Sequence, residues 1–198
     1  MQGSDALVII DVQNDFCPGG ALPVANGDRV VPVLNEYIKK FAQEKLAIFA
    51  TRDWHPEKTS HFKAFGGLWP PHCIQGTKGA EFRPDLALPQ ETVVVSGGTA
   101  PDEEGYSGFD GKDQQGVGLA DLLRAFGVER IFVGGLATDY CVKHTVLDGL
   151  KNGFKVVLLE DAVRGVNLKP DDSARAIEEM LRAGAQKVTS PDSLQLNR

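Results

Sequence analysis

Residues 130–153 read RIFVGGLATDYCVKHTVLDGLKNG. The segment opens on an apolar run, RIFVGG (130–135), that is continuous rather than alternating. Such a run is how a strand covered on both faces reads. The segment closes with Val142, Val146 and Leu150 at four-residue steps and Gly153 as a stop, which predicts a helix over 139–152. A buried strand that passes directly into a helix is the unit of an α/β sheet. Cys141 sits at the junction. Free cysteines are among the most buried residue types, so a small hydrophobe packed beneath the sheet is the plain reading. The alternative is a nucleophile. Thr138 is suited to cap the helix, which places Cys141 in its first turn. There, free N–H groups and the helix dipole favour a thiolate and can hold an oxyanion.

The same alternation extends outward in both directions. Strand-length apolar runs recur at 6–10, 46–51, 92–96, 155–159 and 186–190. Helical stripes lie between them: Val30, Leu34, Tyr37, Ile38 and Phe41 within 28–43, then Val117, Leu119, Leu122, Leu123 and Phe126 within 117–126. A fourth helix is expected over 171–183, after Pro170 and before Gly184. Strand alternating with helix predicts a three-layer α/β/α fold with a mainly parallel central sheet, in one domain spanning 1–198. Residues 52–91 lack clear periodicity, and a loop that long in a compact domain is usually functional.

Composition narrows the function classes. The 198 residues carry 27 acids against 21 bases, a net charge of −6, which argues against nucleic acid or an anionic membrane as partner. No apolar run approaches the ~20 residues of a membrane span. The start, MQGSDALVIIDVQ, lacks the basic segment and cleavage site of a signal peptide. Three widely spaced cysteines (Cys17, Cys73, Cys141) do not make a disulfide framework, so a reducing, cytoplasmic setting is expected.

In open α/β sheets, ligands collect at the carboxyl ends of the strands. Asp11 follows the first run, RDWHPEKTSHF follows the second, SGGTAPDEEGYSGFDG the third and TDYC the fourth. Asp53 and His55, at i and i+2, point the same way on an extended segment. His61 and His72 follow in the same irregular stretch, and one carboxylate with three imidazoles suits a divalent transition metal: zinc, or else iron or manganese. Spacing alone leaves open that these are unrelated surface histidines. Asp11 and Cys141 should face one crevice, where an acid–thiol pair could serve acyl transfer. Asp11 alone would read as a loop cap. His144 reads as a structural helix residue, Cys73 as a small hydrophobe and Trp54 as packing under the metal loop. Cys17 is open to exposure and oxidation but has no assigned role.

The sequence resembles the nicotinamidase/pyrazinamidase group of the isochorismatase-like cysteine hydrolases over nearly its whole length. The resemblance rests on VIIDVQNDFCPGGALPV (8–24), ATRDWHPEKTSHF (50–62), WPPHCIQGTKGAEF (69–82), GYSGFDG (105–111) and GLATDYCV (135–142). It implies Asp11 as general base, Cys141 as nucleophile, and Asp53, His55, His61 and His72 as ligands of one divalent metal. It further implies Phe16, Trp69 and Tyr106 as aromatics around a pyridine-type ring, with Leu22, Leu136 and Tyr140 also lining the pocket. A cis peptide is expected before Ala137, whose N–H joins that of Cys141 in an oxyanion hole. The implied partner is a small nicotinamide-type molecule; monomer and homo-oligomer both remain open.

One position departs from the family. Its members read approximately S-K-G/A-T before the tyrosine motif, whereas this chain reads VVVSGGTAPDEEGYSGF (93–109), with Gly97 at the expected lysine. Lys78 and Lys112 do not match the motif. The reading is a metal-assisted cysteine amidohydrolase that converts nicotinamide to nicotinate and ammonia, with ligand binding kept and catalysis weakened at Gly97. Its rivals are another hydrolase of this fold, acting on isochorismate or a carbamoyl or ureido compound, and a non-catalytic binder of pyridine carboxamides.

Overall fold

The computed structural model describes residues 4–197. Six strands form one wholly parallel sheet: β1 (Ser4–Ile10), β2 (Ala47–Asp53), β3 (Val93–Gly97), β4 (Val128–Leu136), β5 (Lys155–Arg164) and β6 (Gln186–Val188). Their order is β3-β2-β1-β4-β5-β6. Four helices connect them: α1 (Val30–Gln43), α2 (Leu119–Ala125), α3 (Lys143–Lys151) and α4 (Asp172–Arg182).

Continuous apolar strands follow from a core on each face. Leu7 and Ile9 of β1 pack with Phe132 and Leu159 against Leu34, Tyr37, Ile38 and Phe41 of α1. The alternate residues Ala6, Val8 and Ile10 turn the other way, with Ile131 and Val133, against Leu119 and Leu123 of α2, Val146 of α3 and Met180 of α4. Burying one such Leu or Ile side chain stabilises the fold by about 1.5–3 kcal/mol.

Expected and observed boundaries differ most at β5, read as 155–159 but extending to Arg164. A bulge explains it: Val133 pairs with Leu158, yet Gly135 pairs with Val163. Glu160 and Asp161 inside that bulge look like a strand end in sequence. Gly135 is required where it stands: its φ is +126°, and a Cβ would lie 2.1 Å from the Ile10 carbonyl oxygen.

Register then fixes where the chemistry lies. Ile10 pairs with Thr51 on one side and Gly135 on the other, and Asp53 pairs with Gly97. The carboxyl ends of β1 to β4 therefore finish side by side, where the strand order reverses at β1 and β4 and a crevice opens. Among the described residues, no helix is long and apolar enough to cross a membrane.

Candidate active site and metal centre

Gln13 binds the floor of the site together. Its buried amide donates to the Asp53 and Ala80 carbonyls at 2.8 and 2.9 Å and accepts from the Asp53 N–H at 2.9 Å. Asp53, at the end of β2, thereby points its carboxylate at the histidines brought in by the 54–74 loop. The His55 Nδ1 lies 3.1 Å from the Gly98 carbonyl and the His72 Nδ1 lies 2.8 Å from that of Pro70. A carbonyl only accepts, so each ring carries a proton on Nδ1 and turns Nε2 inward. Those Nε2 atoms stand 3.4 and 3.6 Å from the Asp53 Oδ2. His61 stacks on His55 with ring centroids 4.6 Å apart.

One ligand atom from each of His55, His61 and His72 lies within 4.8 Å of the others. The His55 Nε2 is wholly buried and has no hydrogen-bond partner, a cost that a cation at this point would remove. The residues present therefore fit a divalent metal. Burial alone would raise the Asp53 carboxyl, but the adjacent His55 and His72 rings hold it down to about 2. Burial, then the neighbouring His55, lowers His61 to about 4, so its imidazole is neutral and available to ligate.

On the other side of Asp53 stands the acid–thiol pair. One ligand atom from each of Asp11, Asp53 and Cys141 lies within 4.8 Å of the others. The Thr51 hydroxyl donates to the Asp11 Oδ1 at 2.6 Å. Burial, then the charge on Asp53, pushes the Asp11 carboxyl well above the usual carboxylate range. The Leu136–Ala137 peptide is cis, and the Ala137 N–H reaches the Cys141 sulfur.

Two expectations are corrected at this turn. Thr138 does not cap the helix: Thr138–Val142 is itself a turn of π-helix, entered from an extended Ala137 with no side-chain cap. A wide turn is hard to foresee, because its residue types also suit an α-helix. Nor does the turn alone set the thiol. Burial, then the negative charges of Asp11 and Asp53, pushes Cys141 well above its ordinary range against the single pull of the Ala137 N–H. Helix-terminus electrostatics are outweighed by burial and by the two carboxylates.

The pocket is lined by Phe16, Leu22, Trp69, Tyr106, Ala137 and Tyr140, together with Asp53, His61, His72, Cys141 and Val166. The Trp69 indole donates to the Tyr106 hydroxyl at 2.9 Å, and the Tyr140 ring meets Trp69 edge-on at 4.9 Å. Leu136 is not in this wall. It is fully buried in the core, because the extended strand directs it toward Gly27 under the sheet. Val166, which no sequence signal marked, stands in the wall instead. His144 lies outside the ligand cluster and stacks on Tyr106 at 5.5 Å. Trp54 carries the Arg52 guanidinium on its ring at 3.8 Å. Lys78 and Lys112 are exposed. Larger grooves beside Phe126 and between α3 and α4 touch neither Asp11 nor Cys141.

Cys17 corrects a further expectation: it is fully buried in the core under α1, and burial raises its thiol to about 11. Cys73 is also fully buried, whereas Cys141 faces the pocket. Iodoacetamide should therefore label Cys141 first, and nicotinate should protect it. Because the thiol is raised, its labelling rate should climb steadily from pH 7 through 9 rather than level off near neutrality. Peptide mass spectrometry reads both, and earlier labelling of Cys17 or Cys73 would overturn the assignment.

Residues 5–192 match the isochorismatase domain family. The nicotinamidase of Escherichia coli is 41% identical, with the match covering 94% of this chain and 95% of that one. The pyrazinamidase of Pyrococcus horikoshii in complex with zinc superposes with a TM-score of 0.86 at 51% identity, covering 93% and 98% of the two chains. An L. infantum protein in complex with nicotinate superposes equally well, at 0.86 and 36% identity, over 100% and 98%.

Proposed function

Since this chain belongs to the isochorismatase family, and within it to the nicotinamidase/pyrazinamidase group, we propose that it hydrolyses nicotinamide to nicotinate and ammonia with Cys141 as nucleophile and Asp11 as base. The observation that carries the reading is the meeting of Asp11, Cys141 and the Asp53–His55–His61–His72 set at one aromatic pocket.

The chemistry follows from the positions of the groups. Trp69, Tyr106 and Phe16 offer a planar ring apolar walls that exclude water. Asp53, His55, His61 and His72 would hold a divalent cation, which would supply an electrophilic centre beside the ring. Asp11, a stronger base than an ordinary carboxylate because burial raises it, takes the thiol proton from its ionised form as sulfur attacks the carboxamide carbon. The N–H groups of Ala137 and Cys141 hold the developing oxyanion. The C–N bond breaks, and ammonia leaves with the proton returned by Asp11. Asp11 then deprotonates a water that cleaves the thioester, which releases nicotinate and restores the thiol.

Zinc is the occupant this reading favours: three imidazoles and a carboxylate are its usual donors, and the P. horikoshii relative holds it. A three-histidine cluster also favours nicotinamide over the carbamoyl and ureido substrates of other hydrolases of this fold. Metal-loaded protein should release ammonia and nicotinate in equal amounts, and alkylation of Cys141 should stop both. Turnover that persists on the alkylated protein would remove Cys141 from the mechanism.

A further inference from the structure

Asp139 stands two residues before Cys141, in the same π-helical turn, and is buried. Its carboxylate reaches across to the connection between β5 and α4. Oδ1 accepts the Val166 N–H at 2.8 Å and Oδ2 accepts the Asn167 N–H at 2.7 Å. Two adjacent backbone donors on one carboxylate make a bidentate, charge-assisted clamp. The clamped segment has little freedom on its other side. Asn167 is left-handed, at φ +52°, and its side-chain oxygen accepts the Ser173 N–H at 2.9 Å in the first turn of α4. Gly165 is wedged so closely that a Cβ would lie 2.9 Å from the Asp139 Oδ1 and 1.8 Å from the Ser173 Oγ.

The clamped segment also contributes a wall of the site. Val166 lines the pocket together with Cys141, Phe16 and Leu22. We propose that Asp139 is a positioning residue and Val166 a specificity-determining one: the clamp makes the nucleophile's turn and the Val166 wall one rigid body. A ring pressed on that wall is then held at a fixed distance from Cys141. Without the clamp, the 165–167 connection is an exposed-loop type of segment whose amides would go to water. The proposal rests on the pyridine-pocket reading above, and its test separates the two.

The variants are Asp139→Asn, Val166→Ala and the double variant. Asn keeps the size and one acceptor, but its amide nitrogen cannot accept from the second N–H. In the native, metal-loaded protein the Val166 and Asn167 amides should be protected from hydrogen exchange, and Asp139→Asn should speed them about tenfold or more, the scale of one charge-assisted bond. Nicotinate binding, read by calorimetry, should weaken about tenfold in Asp139→Asn and in Val166→Ala. The double variant should be no worse than the weaker single one, because both act through one wall. Metal content should not change in any of them. A general loss of structure would instead give additive losses and would overturn the proposal. So would unprotected native amides, or native nicotinate affinity in Asp139→Asn. If Asp139→Asn does not fold, Val166→Ala decides alone, and undiminished affinity there overturns the proposal. Failure of nicotinate to bind the native protein would count against the pyridine pocket, while the exchange result still decides the clamp.

Discussion

Gly97→Lys should raise the single-turnover rate of nicotinamide hydrolysis by ~10²-fold or more, the scale of one positioned acid–base group. The argument starts from charge. The thiol of Cys141 and the carboxyls of Asp11 and Asp53 crowd into one buried space. Both the thiol and Asp11 are pushed up by burial first and by neighbouring negative charge next. A cation beside them would lower both and stabilise charge in the transition state. Gly97 is the place for it. It ends β3 in register with Asp53, and paired residues of neighbouring parallel strands direct side chains to the same face. A Cβ there meets only the Gly105 backbone, at 3.5 and 3.8 Å, which is ordinary contact. The next position cannot serve: Gly98 has φ +62°, and its Cβ would lie 2.4 Å from the His55 ring. Nicotinate affinity should change far less, since aromatics and metal hold the ring. Ammonia release at matched metal occupancy decides the matter, and either full activity in the native chain or no gain in the variant would show that position 97 is not where the cation belongs.

Much of this was legible because burial on two faces leaves a plain mark. LVII and IFVGG carry no alternation, so a parallel sheet follows, and the sheet places Asp11, Asp53 and Gly97 at strand ends before any contact is known. The histidines were legible as a set only through their density around RDWHPEKTSHF; their convergence is a property of the loop's path. What stayed hidden depends on direction and on sums over neighbours. Leu136 and Ala137 are adjacent, yet only one faces the pocket. Cys17 lies beside a pocket residue and is nonetheless sealed in the core. Asp139 could have been singled out as an acid at a mostly apolar turn, but its partners are 27 and 28 residues away. The elevated thiol is the clearest case. A helix terminus can be read locally, whereas the depth of burial and the closeness of two carboxylates, which decide the balance, cannot.

His55→Ala should reduce bound metal from about one ion per chain to a small fraction, with nicotinate affinity falling alongside. Removing even an outer partner of a metal ligand costs ~10–100-fold in metal affinity, and His55 is a candidate ligand itself. Its ring is fixed from two sides, by the Gly98 carbonyl on Nδ1 and by His61 stacked on its face. That fixation supplies a second variant that deletes no ligand. Gly98→Ala would drive a Cβ into the same ring on a backbone that side chains rarely adopt, so it should lose metal as well. His144→Ala provides the contrast, because that ring stacks on Tyr106 outside the cluster and its removal should leave metal at the native level. Elemental analysis after dialysis measures all three. A structural histidine would lower stability without changing stoichiometry in the protein that remains folded, so metal should be counted per folded chain. Native metal content in His55→Ala would break the centre as assigned. Loss in Gly98→Ala alongside it would show that the orientation of the ring, and not only its presence, builds the site.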